Sequence, residues 1–120
     1  MADRQREVIW TFQARTMLDE AVGYIAQDSL TAAQQLLIDA LDAGASLTTL
    51  SERGRTVPEL EDSNTRELFV QRYRLIYEVH PTEIHILAFL EEKEGQVLNL
   101  EFCSHFMVVV LHGSAFADRV

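Results

Sequence analysis

The sequence predicts an α+β domain: an N-terminal strand, then an αα-hairpin packed on a mainly antiparallel sheet, in the order β-α-α-β-β-β, with extra strands offered after residue 90. Three observations predict it. Apolar residues recur three and four apart between residues 12 and 44, the period of a helix face. They recur two apart between residues 73 and 90, the period of a strand. A polar stretch, SERGRTVPELEDSNT at 51–65, carries Gly54 and Pro58 and separates the two regimes as a loop.

The first element is the β-like run Val8, Ile9 and Trp10. Thr11 follows as an N-cap, because its hydroxyl can take a backbone N–H that the first helical turn leaves unpaired. Ala14, Leu18, Ala21, Val22 and Ile25 then make one stripe, flanked by Met17 and Tyr24, and predict a helix over residues 12–26. Asp28 and Ser29 interrupt the stripe and can cap a second helix, in which Ala33, Leu36, Leu37, Ala40, Leu41 and Gly44 repeat the spacing. Gly44 either ends that helix or permits close packing, and Leu47 and Leu50 continue the pattern past it. The short connection makes the two helices an antiparallel hairpin.

Beyond the loop, residues 67–70 and 73–79 read as strands. In the second, Tyr73, Leu75, Tyr77 and Val79 fall on one face and Arg74, Ile76 and Glu78 on the other. His80-Pro81-Thr82-Glu83 suits a tight turn. Residues 84–90 alternate Ile84, Ile86, Ala88 and Leu90 against His85, Leu87 and Phe89. Short connections between successive strands favour an antiparallel meander.

A chain of 120 residues is one domain's worth, and 48% hydrophobic with 24% charged residues is the balance of a soluble globular protein. The lone cysteine, Cys103, rules out an internal disulfide and makes a reducing compartment the simple expectation. The opening MADRQREVIW holds no apolar run of signal-peptide length, and the longest apolar stretch, 106–111, is too short to span a bilayer. These features predict a cytoplasmic protein without a membrane partner.

A formal net charge of −9 argues against direct binding to DNA or another polyanion. The distribution is uneven. No Lys or Arg lies between Arg15 and Arg53, while five of the nine arginines fall from Arg53 to Arg74. Arginine is the residue suited to bidentate contact with carboxylate or phosphate. The plainer reading pairs these arginines with Glu59, Glu61, Asp62 and Glu67.

Gly54-Arg55-Thr56-Val57-Pro58-Glu59-Leu60, then Arg66-Glu67-Leu68, then Tyr73-Arg74-Leu75-Ile76-Tyr77, followed by the apolar run 84–90, resembles the RelE/ParE toxin superfamily, and the ParE type in particular. The resemblance covers residues 7–90, in order and at matching spacing. It implies a RelE/ParE-like toxin domain over 1–90, with 91–120 an atypical extension: part of the same domain, or a swapped or edge hairpin with strands at 97–102 and 106–111. Family members often follow the last apolar strand with a His-Gly step and a basic end. Here that step comes only at His112-Gly113, after an acidic run, which puts the family's C-terminal functional residues in doubt.

The resemblance implies a toxin of a type II toxin–antitoxin system (the plasmid-stabilisation class), held inactive by an antitoxin in a hetero-oligomer. A ParE-like member would inhibit DNA gyrase without chemistry of its own. Arg53, Arg55 and Arg74 are then candidates for target contact. Met17, Tyr24, Leu47 and Leu50, at the edges of the helical stripes, are candidates for antitoxin contact.

The alternative is a RelE-like ribosome-dependent mRNA endonuclease. Attack by a 2′-hydroxyl needs a base, an acid and cations around the phosphorane. Arg66, Arg72 and Arg74 would be the cations and Tyr77 the acid, with Glu78, His80, His85 or His112 as base. The altered tail motivates a third reading, an inactive or repurposed homologue that keeps only antitoxin binding. No cofactor is expected, since the chain lacks a phosphate-binding glycine loop. No metal is expected either: Cys103, His105 and His112 do not have a zinc spacing, His80 reads as a solvated turn residue, and His85 as a surface residue.

Overall fold

The computed structural model describes residues 5–58, 60 and 64–92. The chain runs β1 (Glu7–Trp10), α1 (Phe12–Ala26), α2 (Leu30–Ser46), β2 (Arg55–Thr56), β3 (Thr65–Val70), β4 (Tyr73–Val79) and β5 (Glu83–Glu91). The strands form one sheet in the order β1-β5-β4-β3-β2. β2 to β5 pair antiparallel, and β1 lies parallel to β5 with Val8 opposite Ile84. This is the expected α+β architecture, two helices packed on a mixed sheet. It has one strand more than expected, because Arg55–Thr56 pairs with Glu67 and Arg66 inside the segment read as loop.

Both helices begin where hydroxyl side chains allow. Thr11 Oγ1 accepts from Ala14 N at 3.2 Å and donates to Ile86 O at 2.8 Å, so one side chain starts α1 and ties it to β5. Ser29 Oγ accepts from Ala32 N at 3.0 Å and starts α2. Gly44 does not end α2, which runs on to Ser46 with Leu47 as its C-cap. Glycine serves packing there: a Cβ would stand 3.1 Å from the Trp10 ring and 3.2 Å from Ile86 Cδ1.

The core lies between the hairpin and the sheet. Ala14, Met17, Leu18, Leu36, Ala40 and Leu47 meet Leu75, Tyr77, Ile84 and Ile86. Each large aliphatic side chain taken fully out of water contributes about 1.5–3 kcal/mol.

The alternation expected along β5 breaks. Tyr77 pairs with Ile86 but Ile76 pairs with Ala88, so Leu87 is an extra residue in a bulge. The bulge brings Phe89 onto the side of Trp10 (ring centroids 6.5 Å apart) and stacks it on Tyr73 (4.9 Å). Ile86 and Phe89, three apart, therefore face the same core.

The β3–β4 hairpin turns through Gln71 and Arg72. Gln71 takes φ 56°, a left-handed conformation that side chains other than Gly, Asn and Asp rarely adopt. Its amide donates to Asp39 Oδ2 at 2.9 Å, which fastens the turn to α2. The expected extension 91–120, with its strands at 97–102 and 106–111, lies almost wholly outside the described residues.

Candidate functional site

The candidates fall into three places: a polar corner where the 51–58 loop meets β3 and β4, the outer side of the helical hairpin, and the β4–β5 turn.

At the corner, Glu67 is 1% exposed and Arg74 4%. Arg74 Nε donates to Glu67 Oε1 at 2.7 Å, and Arg55 Nε donates to Glu67 Oε2 at 2.5 Å. One carboxylate thus holds a buried and an exposed guanidinium; the Arg55 side chain is 57% exposed and lies 5.3 Å from the centre of the Phe69 ring. β-sheet register explains the set. Glu67 pairs with Ile76, so Arg74 is its diagonal neighbour on the same face, and Arg55 is its direct partner across β2–β3.

On the other face, Tyr77 is fully buried, and its hydroxyl accepts from Gly54 N at 3.0 Å. Burial pushes the Tyr77 phenol above its ordinary pKa, against the smaller opposing effect of the Gly54 N–H. Gly54 is required by close approach: a Cβ would stand 2.5 Å from Glu67 O and 2.7 Å from the Tyr77 hydroxyl. Arg66, for which pairing with Glu67 is one expectation, donates to Gly54 O at 2.8 Å and Glu52 O at 3.4 Å, while Glu59 lies outside the described residues. It fastens the loop that Tyr77 anchors.

Among the described residues the candidate nuclease groups do not come together. Arg74 and Tyr77 are buried in the framework, Arg66 is bound to backbone carbonyls, and Arg72 is an exposed turn residue 3.7 Å from Glu91. Tyr77 and Glu78 are adjacent in β4 and point to opposite faces, which separates the candidate acid from the candidate bases Glu78, His80 and His85. His112 lies outside the described residues.

On the hairpin the apolar candidates divide. Met17 and Leu47 are 4% and 0% exposed and belong to the core, because the stripes they edge pack directly on the sheet. Tyr24 and Leu50 are 71% and 53% exposed. Tyr24 borders a cleft whose floor is Met17, Ala21, Tyr73, Phe89 and Leu90. A second cleft lies between Trp10, Leu18, Leu37 and Leu41, with Arg15 and Asp19 at its rim. Leu41, placed in the α2 stripe by its spacing, is 47% exposed, and Leu30 and Ile38, which that stripe does not include, are exposed as well. Arg53 stands exposed beside this side, its Nη1 donating to Ser46 Oγ at 2.9 Å.

At the β4–β5 turn the histidines are not simply solvated. His80 Nε2 lies 2.9 Å from Glu78 Oε1, His85 Nε2 lies 2.7 Å from Glu83 Oε1, and the two rings are 4.3 Å apart. The signal was present in the sequence as a repeated Glu-x-His, Glu78-Val79-His80 and Glu83-Ile84-His85.

Residues 8–95 match the model of the ParE toxin of the type II toxin–antitoxin system parDE. The chain belongs to the ParE toxin family. Among solved structures it is similar to a chain of the chromosomal ParDE toxin–antitoxin system from P. aeruginosa, at 20% identity and a TM-score of 0.62, over 76% of this chain and 100% of that one. Among curated proteins none matches significantly. The segments that carry the resemblance, Gly54 to Leu60, Arg66 to Leu68 and Tyr73 to Tyr77, supply Gly54, Arg55, Arg66, Glu67, Arg74 and Tyr77 to the corner. Among the described residues, no helix is long and apolar enough to cross a membrane.

Proposed function

We propose that this ParE-family chain is the toxin of a parDE pair that inhibits DNA gyrase and is neutralised by a cognate antitoxin. The observation that carries the non-catalytic reading is the corner. Arg66, Arg74 and Tyr77, the polar residues a nuclease mechanism would need, are held in hydrogen bonds that build the fold. A gyrase inhibitor needs only a surface. Arg53 and Arg55 supply exposed cations next to β2 for contact with the target. The antitoxin occupies the outer side of the hairpin, where Tyr24, Leu41 and Leu50 present unburied apolar area and the two clefts accept side chains. A segment with apolar residues at helical spacing suits such a face.

The test is tightly induced expression of the chain alone in a bacterium, followed by plasmid supercoiling by purified gyrase with added protein. Loss of viability together with loss of supercoiling is the expected result. Loss of viability with intact supercoiling and cleaved ribosome-bound mRNA would replace this reading with the endonuclease. Normal growth with soluble protein present would replace it with an inactive homologue.

A further inference from the structure

We propose that the turn joining β4 and β5 is a binding site for a divalent transition cation of the zinc type, with Glu78, His80 and His85 as ligands and Glu83 as the group that orients His85. Nothing in the family assignment or in the toxin reading calls for it.

The site follows from strand geometry. Residues two apart in a strand share a face, so each Glu-x-His presents its carboxylate and imidazole on the same side. Glu78 and His85 are opposite each other in the β4–β5 register, and the His80 backbone N–H donates to Glu83 O at 2.8 Å, closing the turn. The two pairs are thereby brought face to face at one end of the sheet. One ligand atom from each of Glu78, His80 and His85 lies within 4.8 Å of the other two. Ligands about 2.0–2.2 Å from a tetrahedral zinc sit roughly 3.3–3.5 Å from one another, so small side-chain rotations complete the geometry.

Composition points to the same class of cation. Two imidazoles and one carboxylate form a nitrogen-rich set that suits zinc and its neighbours over magnesium or calcium. All four residues are half-buried, shielded enough to hold a fixed arrangement and open enough to admit an ion. The carboxylates of Glu78 and Glu83 balance a 2+ charge with both imidazoles neutral. Arg6 lies beside the turn, but its Nε donates to His80 O and its Nη1 to Ser51 Oγ, so its charge is directed at other acceptors. Glu83 already holds one ring nitrogen of His85. A carboxylate in that position fixes the ring and leaves the other nitrogen for the metal. Three protein ligands leave a fourth position for water.

The experiment is calorimetric titration of the chelator-stripped full-length protein with ZnCl2, with MgCl2 as the control cation. The chain has two further histidines, His105 and His112, and the lone Cys103. A variant with Cys103→Ser, His105→Gln and His112→Gln separates them from the proposed site. One equivalent of zinc should bind to the wild type and equally to this tail variant, with no uptake of magnesium. His80→Gln with His85→Gln should weaken binding at least 100-fold, and Glu83→Gln about 10-fold. Circular dichroism of the metal-free forms checks folding. If the double histidine variant does not fold, the near-isosteric Glu78→Gln carries the test, with a loss of at least 10-fold. No zinc uptake by the wild type, binding that survives loss of both histidines, or binding lost in the tail variant would overturn the proposal.

Discussion

On the helical hairpin, Tyr24 and Leu30 are each 71% exposed, while at the loop–β3–β4 corner Glu67 and Arg74 are 1% and 4% exposed. Ordinary expectation places leucine inside and ion pairs outside, and this molecule inverts it in both places. The corner spends its charged and phenolic groups on one another: Glu67 on Arg55 and Arg74, Tyr77 on Gly54. The hairpin leaves apolar side chains with no neighbour among the described residues to cover them. Polar residues that look chemical are thus structural, and aliphatic residues that look structural form the available surface.

The contrast can be broken at the corner first. Arg74→Ala leaves the buried Glu67 carboxylate with only the half-exposed Arg55, so stability should fall by about 3–5 kcal/mol in urea denaturation. A loss below about 1 kcal/mol would mean the pair is not part of the framework. Tyr77→Phe removes the acceptor of a buried backbone N–H and should cost about 1–3 kcal/mol by the same measurement. If both variants fold as well as the wild type, the corner is free for chemistry and the endonuclease reading returns.

High pH attacks the same bond without mutation. Burial raises the pKa of Tyr73 and Tyr77 above the usual phenol value of about 10. An acid whose pKa is raised by folding holds its stabilisation fully below the unfolded value. That stabilisation is then lost as pH climbs from about 10 through the folded value. Melting temperature should therefore decline over that interval in the wild type, and less steeply in Tyr77→Phe. A decline of equal slope in both would exclude Tyr77 as a cause.

The hairpin should give the smallest change in stability. Tyr24→Ala with Leu41→Ala removes side chains that are 71% and 47% exposed, and should alter stability by about 0.5 kcal/mol or less. The same double variant should weaken binding of the cognate antitoxin at least 10-fold in a calorimetric titration. Unchanged affinity would move the antitoxin to another face.

How much of this was legible beforehand depended on the range of the determining contacts. α1 and α2 were legible because their signals are local: Thr11 and Ser29 at the caps, and one apolar stripe each. β2 was not, since two residues, Arg55 and Thr56, carry no periodicity and gain strand identity only from Glu67 and Arg66 across the sheet. The Leu87 bulge escaped because both faces of central β5 are apolar, and alternation has no contrast to reveal. Met17 and Leu41 share a helical period yet end at opposite burial, a difference set by how far the stripe wraps around each helix. The Glu67 network depends on diagonal pairing across β3 and β4, which needs the register. The Glu-x-His pair at 78–80 and its repeat at 83–85 were visible as text, but their meeting required the turn at His80 to close.

The parallel pairing of β1 with β5 ties residues 76 apart, from Glu7 with Glu83 to Trp10 with Ile86. Chains are synthesised at about 5–20 residues per second, so β1 leaves the ribosome roughly 4–15 seconds before its partner strand exists. Through that interval the hairpin has no sheet to lie on, and the apolar side later occupied by Ile84 and Ile86 is open. The first surface this toxin offers to its cell is therefore its own future core, and whatever chaperone or antitoxin reaches the nascent chain then meets it before it can take its final shape.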